Sequence, residues 1–134
     1  MKPFPLRIVT PDGLRYDGTA EEIIVRTTTG DLGILAGHMN CVAPLGMGKA
    51  TVVIDGKKRC GACIGGMITM MDGAATLVAT TFEWADQIDV DRADRSEQRA
   101  RAVLSDNKST DTDIRLAQAR LKRALIRKSV ADWK

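Results

Sequence analysis

From Ile88 onward the chain has no glycine and no proline, although the 134-residue sequence holds 12 glycines and 4 prolines. Both residues punctuate regular structure, proline by removing a backbone donor and glycine by its conformational freedom. Their confinement to the first part splits the chain near Trp84 into two kinds of sequence. Short apolar runs separated by turns come first, and a charged stretch rich in alanine and arginine follows. Aromatic residues are scarce, with 2 Trp, 2 Phe and 1 Tyr, which counts against a surface that stacks nucleic-acid bases. His38 is the only histidine, and no nucleophile with an orienting third group can be placed beside it, so a catalytic triad has no support. Three cysteines, an odd number, do not suggest a disulfide framework and fit a reducing compartment. No run approaches the roughly 18 apolar residues of a membrane helix, and residues 1–10 lack the apolar core of a secretory leader.

What is present divides by position. The length suits one domain, or one small domain with an appendage. The formal charge of +3 is too small to indicate nucleic-acid binding, but its distribution is uneven. Residues 1–85 hold 8 basic and 8 acidic side chains, whereas Arg115 to Lys134 holds 7 basic residues and only Asp132 as an acid. That segment is expected either to meet an anionic partner or to be a solvated face.

Strand-like runs are read at Leu6–Thr10, from Tyr16, at Glu22–Thr28, Gly33–Ala36, Cys41–Leu45, Lys49–Ile54, Lys58–Ile64, Met67–Met71 and Ala75–Thr81. Pro11-Asp12-Gly13, Asp55-Gly56, Gly65-Gly66 and Asp72-Gly73 separate them as tight turns. Many short strands without intervening helices predict an antiparallel β-sandwich or barrel over residues 1–85. Residues 86–134 predict a helical hairpin. Asp89 caps a first helix with Val90, Ala93, Ala100, Val103 and Leu104 on one face, and residues 105–109 break it. A second helix starts near Asp111–Asp113, with Ile114, Ala117, Leu121, Ala124 and Leu125 on one face and Arg120, Arg123 and Arg127 roughly opposite. The seam is mostly alanine, and a buried methyl contributes about 0.8 kcal/mol against roughly 1.5–3 for a leucine side chain. Such a seam can reopen.

Three constellations carry chemistry. His38, Cys41, Cys60 and Cys63 have spacings a zinc site could use, but residues three apart on a strand face opposite ways, so Cys60 and Cys63 read as small buried hydrophobes. Gly30-Asp31-Leu32-Gly33 lacks the lysine of a phosphate loop and reads as a turn carrying a carboxylate available for a protein contact. The junction Ile88-Asp89-Val90-Asp91-Arg92-Ala93, with Arg99 beyond it, sets a carboxylate beside guanidinium groups. That pattern suits either helix capping with charge pairing or the binding of phosphate and ribose hydroxyls.

Ile8-Val9-Thr10-Pro11, the stretch Gly30 to His38, Gly65-Gly66, the Ile88-Asp89-x-x-Arg92-Ala93 junction, and Ala117 to Ala131 around Lys122-Arg123-Ala124-Leu125 occur in one order over nearly the whole chain. In this the sequence resembles the ε subunit of the F-type ATP synthase, called δ in mitochondria. The resemblance implies an N-terminal β-sandwich of about ten strands and a C-terminal helical hairpin in a non-catalytic rotor subunit. It implies binding to the γ subunit and the c-ring of a proton- or sodium-translocating enzyme, peripheral to the cytoplasmic face of a bacterial membrane. By position it assigns Arg26, Thr27, Thr28, Thr29, Gly30, Asp31 and Leu32 to the c-ring, and His38, Met39, Asn40 and Cys41 to γ. In the family the hairpin either lies on the sandwich, where some bacterial members bind ATP, or extends into the catalytic head and inhibits hydrolysis. The matching positions for ATP, alone or with Mg, are Glu83, Ile88, Asp89, Arg92, Ala93, Arg99, Arg123 and Arg127; the extended helix would meet the catalytic β (and α) subunits. No required cofactor, metal or nucleic acid is implied. A free-standing nucleic-acid-binding module using the basic helix is the alternative from a different class. The chain departs from the family at Ala36-Gly37-His38-Met39-Asn40-Cys41, where Pro-Gly-His-x-Pro is common, and at Arg120 and Lys128, usually small or apolar positions. The last two are expected to weaken hairpin packing.

Overall fold

The computed structural model describes residues 1–133. Eight strands are followed by two helices: β1 (Phe4–Thr10), β2 (Gly13–Ala20), β3 (Glu22–Thr27), β4 (Gly30–Leu35), β5 (Cys41–Pro44), β6 (Met47–Ile54), β7 (Lys57–Met71), β8 (Ala74–Trp84), α1 (Val90–Ser105) and α2 (Asp111–Ala131). A single 3-10 turn, Ala85–Gln87, joins β8 to α1. The strands pair in the order β2-β1-β8-β7-β6-β3-β4, with β5 also on β7. All pairs are antiparallel except β1 with β8. The expected sandwich is present, with eight strands rather than about ten.

Of the nine runs read in the sequence, the two that flank Gly65-Gly66 are one strand. Read locally, that pair ends one strand and begins another; in the structure it lies inside the single 15-residue strand β7. Up to Ile64, β7 pairs with β6; from Met67 onward it pairs with β5. β8 follows it through the bend, with Ile64 opposite Thr81 and Gly66 opposite Ala79. Both strands thus cross from one layer of the sandwich to the other. The inward parity changes at the crossing: Cys63, then Ile68 and Met70, in β7, and Ala75, Leu77 and Ala79, then Phe82 and Trp84, in β8. These side chains meet Leu6 and Ile8 of β1, Ile23 and Val25 of β3, Ile34 of β4 and Val52 of β6 in one core.

Both glycines have positive φ, 66° and 109°. A Cβ on Gly66 would lie 1.9 Å from the Val78 carbonyl oxygen, so only glycine permits β8 to approach at the bend. Gly73, at the β7–β8 turn, has φ +84° with open space around it.

Trp84 closes the sandwich end. Its ring packs edge-on against Phe82 at 4.9 Å and Tyr16 at 6.2 Å, its Nε1–H donates to the Arg15 carbonyl at 3.3 Å, and the Arg59 guanidinium lies 3.9 Å from the ring centroid. Beyond it the outer face of the β6-side layer is capped by the hairpin. Cys60, Ala62, Ala85, Ile88, Val130 and Ala131 form this second cluster, with Ile126 against it. Cys60 therefore faces the helices and Cys63 the sandwich core, as strand alternation requires. Burial pushes the Cys63 thiol up to about 12.

Gly66→Ala is expected to cost about 3 kcal/mol or more, by adding overpacking to backbone strain, while Gly73→Ala costs about 1. Urea unfolding of both variants measures this; equal midpoints would show that the bend does not need its glycine.

Candidate functional site

The hairpin begins with the capping read in the sequence. The Asp89 side chain accepts from the Arg92 N–H at 3.0 Å and caps α1. Thr110 and Asp113 form a capping box that starts α2, the Asp113 N–H donating to Thr110 Oγ1 at 3.1 Å and the Thr110 N–H to Asp113 Oδ2 at 3.0 Å. Between the helices Ala93, Ala100, Ala117 and Ala124 are buried, so the thin alanine seam is real. Val90 and Leu125, expected on the apolar faces, are instead exposed, and Val130 and Ala131 bury in their place against the sandwich. The reason is that α2 packs on two surfaces at once, α1 along Ala117 and Ala124 and the sheet at its C-terminal end.

A cleft of about 470 Å³ opens where α1, α2 and the sandwich meet. Arg92, Ala93, Ser96 and Arg99 line it from one side of α1, at spacings that share a helix face. Asp89 lines it from the cap, Arg127 from α2, and Thr81, Phe82 and Glu83 from β8. Thr10, Asp12 and Arg15, from the β1–β2 end of the sandwich, complete it. A second cleft of about 710 Å³ shares Thr81, Ser96, Arg99 and Arg127 with the first and adds Arg120 and Arg123.

The family-matched residues thus have different placements. Glu83, Asp89, Arg92, Ala93, Arg99 and Arg127 share the first cleft, and Arg123 lies in the second. Ile88 lines neither; it is buried in the second apolar cluster. Arg120, Arg123 and Arg127 do not lie opposite the apolar seam but flank it and turn toward the clefts, which α1 closes from the other side. Thr10, Asp12, Arg15, Thr81 and Ser96 were not legible as cleft residues, because only the tertiary fold joins the β1–β2 turn to α1.

Two sets of charges tie the hairpin down. Arg127 Nε donates to Glu83 Oε1 at 2.7 Å, from α2 to the sandwich. Lys128 Nζ reaches Asp94 Oδ1 at 2.7 Å and Glu97 Oε1 at 2.8 Å, from α2 to α1, while Arg101 holds the other Glu97 oxygen at 2.9 Å. Lys128 therefore does not simply weaken the packing, as expected from its place in the sequence; it substitutes an ion-pair clamp for an apolar contact. Hydrogen bonds from Lys128 and Arg101 hold the Glu97 carboxyl below its ordinary range, and bonds to Asp94 and Glu97 hold the Lys128 ammonium above its own.

The residues assigned to the c-ring form the β3–β4 hairpin tip. Thr27 pairs with Gly30, leaving Thr28-Thr29 as a two-residue turn. Thr27 Oγ1 donates to the Gly30 carbonyl at 2.6 Å and accepts from the Thr29 N–H at 3.2 Å, which shapes the turn from inside. Asp31, expected as an available carboxylate, is exposed but lies 3.3 Å from Arg26. Such an exposed pair holds by about 1 kcal/mol or less and yields to a partner. Leu32 packs beneath the tip against the core.

His38, Met39, Asn40 and Cys41 lead into β5. His38 Nδ1–H donates to the Met39 carbonyl at 2.8 Å, and Asn40 Oδ1 accepts from the Asp72 N–H at 2.9 Å, fastening the loop to the β7–β8 turn. His38 Nδ1 and Cys41 Sγ lie 3.9 Å apart, while Cys60 and Cys63 point elsewhere. Met39, 78% exposed, stands at the edge of an apolar face not anticipated from the sequence. Val9, Val78, Met67 and Pro44 lie opposite one another on four neighbouring strands, and Val42 and Met71 are exposed beside them.

The first 85 residues match the family described as ATP synthase, Delta/Epsilon chain, beta-sandwich domain, over residues 3–85. Residues 86–132 match its companion, the long alpha-helix domain. The chain is 41% identical to an ATP synthase epsilon chain of Bacillus pumilus over 98% of both proteins, and 39% identical to that of Ruminococcus albus over the full length of both. Its fold is similar to a chain in the Euglena gracilis mitochondrial ATP synthase OSCP/F1/c-ring structure, with a TM-score of 0.82 at 21% identity, covering 98% of this chain and 82% of the other. No helix among the described residues is long and apolar enough to cross a membrane.

The clamp sets a pH dependence. Glu97, with its folded value lowered, contributes stability above the ordinary value of 4.5, and that contribution disappears as pH falls through the lowered value. Lys128, with its folded value raised, contributes below its ordinary 10.5 and loses the contribution only above the raised value. Protection of the α1 and α2 amides, relative to their intrinsic exchange rates, is expected to fall as the pH drops below the ordinary carboxylate value, and Lys128→Ala to show reduced protection already at neutral pH. Equal exchange in the two proteins at neutral pH would remove the clamp from the account.

Proposed function

We propose a function from a settled starting point: the chain belongs to the ATP synthase delta/epsilon family and is a non-catalytic, central-stalk type subunit of an F-type ATP synthase. Residues 1–85 are the part that stays on the rotor, and residues 86–134 the part that regulates; Lys134 lies outside the described residues. The row Val9, Val78, Met67 and Pro44, with Met39 at its edge, is the γ-facing surface together with His38, Asn40 and Cys41. Its support is an exposed apolar face without a covering element of this chain among the described residues, next to a loop fastened by its own hydrogen bonds. The β3–β4 tip, Arg26 to Leu32, faces the c-ring. Supporting this are a shaped turn and an ion pair weak enough to exchange partners. The subunit is peripheral at the cytoplasmic face of a bacterial membrane, and the enzyme carries protons or sodium.

The regulatory part has two positions, lying on the sandwich or extended toward the catalytic β and α subunits, where its basic α2 inhibits hydrolysis. The observation that carries this is the composition of the attachment. An alanine seam, a small apolar cluster and a few ion pairs hold the hairpin, and the clefts lie at that attachment. A ligand bridging α1, α2 and β8 would exist only in the closed position and would favour it by mass action. The residues present fit ATP. Guanidinium forks suit phosphates, carboxylates at Asp12, Glu83 and Asp89 suit amine and hydroxyl groups, and the buried Thr81 Oγ1 has no hydrogen-bond partner. Bound ATP supplies charge that neutralises these arginines; the chain supplies the closure.

In the assembled complex, Val78→Asp with Met67→Asp is expected to abolish co-purification with γ, and removal of residues 88–134 to raise ATP hydrolysis. Retained assembly in the first case, or an unchanged rate in the second, would overturn the corresponding assignment.

Titration calorimetry of the full chain with ATP, with and without magnesium, should give binding that weakens about tenfold in Arg92→Ala and in Arg123→Ala. No heat at millimolar nucleotide would eliminate the ligand.

A further inference from the structure

The two clefts differ in electrostatic character, the first mixed and the second wholly cationic. Every carboxylate that borders them, Asp12, Glu83 and Asp89, borders the first alone. The second is lined by Arg99, Arg120, Arg123 and Arg127 and by no acid. Among the described residues only Arg127 of these four is in an ion pair, with Glu83; Arg99, Arg120 and Arg123 have none. The three unpaired cations share the cleft with one another and with Arg127, and the repulsion among them is relieved by an anion. Arg120, Arg123 and Arg127 follow one another at helical spacings of three and four, so they present a ladder rather than a point. Arg99 borders the same cleft from α1, and Thr81, whose buried Oγ1 has no partner, borders both clefts.

We propose that Arg120 is a specificity-determining residue that makes the second cleft count phosphates, so that the site prefers a triphosphate to a diphosphate and a diphosphate to a monophosphate. This rests on the nucleotide reading above and deepens it. The mixed end, with Asp89, Glu83 and Arg92, accommodates the uncharged part of the ligand, and the phosphate chain runs past Thr81 and Arg99 into the arginine ladder. Arg120 stands farthest along the ladder from the Glu83–Arg127 tie, so it meets the terminal phosphate. Each added phosphate gains a guanidinium contact, and Arg120 supplies the last. Its charge is thereby used in the closed hairpin, at a position where an apolar residue would add packing but no selectivity.

The test is a titration of the full chain with ATP, ADP, AMP and inorganic tripolyphosphate at one fixed ionic strength, repeated with Arg120→Ala and Arg120→Lys. The wild-type chain is expected to bind in the order ATP, ADP, AMP. Arg120→Ala should weaken ATP and tripolyphosphate about tenfold, with ADP changed less than about threefold and AMP unaffected, and Arg120→Lys should recover part of the loss. Circular dichroism establishes that the exposed substitution leaves the helices intact. Equal weakening of all four ligands, or none, would overturn the phosphate-counting role while leaving the nucleotide site standing. If the wild-type chain binds none of the four, the nucleotide reading itself fails, and the inference with it.

Discussion

The crossing of β7 and β8 between layers is the constraint on which the rest depends. A strand that serves both layers must present its inward side chains on opposite parities along its length, and it can do so only by turning over part way. Gly65-Gly66 provides that turn with positive φ at both residues and with no Cβ to collide with the Val78 carbonyl. Once the strands cross, each layer acquires an outer face of its own. On the β6 side the outer residues are Cys60 and Ala62, small enough for a helix to lie close. On the other side they are Met67, Met71 and Val78, large, apolar and exposed. One bend therefore separates the surface that receives the hairpin from the surface left open for another chain.

The hairpin's attachment has a different physical character from the sandwich core. Inside the sandwich, branched and aromatic side chains interlock, and their separation exposes much apolar area. Beneath the hairpin the contacts are alanines, one cysteine and a few aliphatics, supplemented by Glu83–Arg127, the Lys128 clamp and Lys49 stacked 4.5 Å over Trp133. Charged contacts of this exposure are weak individually and respond to salt. They also have direction: they are satisfied in one arrangement of the helices and can be satisfied by other acids in another. An attachment of this kind favours an element that must leave and return over one that must stay.

Much of this was legible in the sequence. The glycine-free stretch marked the helices, Asp89 and the Asp111–Asp113 region marked their starts, and strand alternation separated Cys60 from Cys63. What was not legible shares one cause. Gly65-Gly66 looks like a turn to any local rule, because the pairing of Ile64 with Thr81 and Gly66 with Ala79 that keeps β7 continuous is made with residues far along the chain. Arg120, Arg123 and Arg127 look like a face opposite the seam on a helical wheel, because the wheel does not know that α1 and β8 form a cleft beside them, which Arg123 and Arg127 enter half-buried and exposed Arg120 borders. Leu125 looks buried for the same reason in reverse. Lys128 reads as a packing defect until Asp94 and Glu97 are found one helix away.

The arginines show why position in the fold, rather than composition, decides their role. Distributed over an exposed helix they would form the basic stripe of a nucleic-acid binder, as the charge excess of Arg115 to Lys134 suggested. Gathered on one side of α2, three of them border a cleft with Arg99, and the hairpin lying on the sandwich holds like charges together. Closure by itself is then opposed by electrostatics and favoured by the alanine seam, the clamp and the Glu83–Arg127 tie. If the hairpin has the two positions proposed above, opposing terms of this kind are the condition under which a small anion selects between them. A larger apolar seam would have made the closed state permanent, and a second acid beside Arg123 would have made it indifferent to ligand. On that proposal the thin seam and the unpaired arginines act together, the first leaving the hairpin free to move and the second giving an anion a site to hold it.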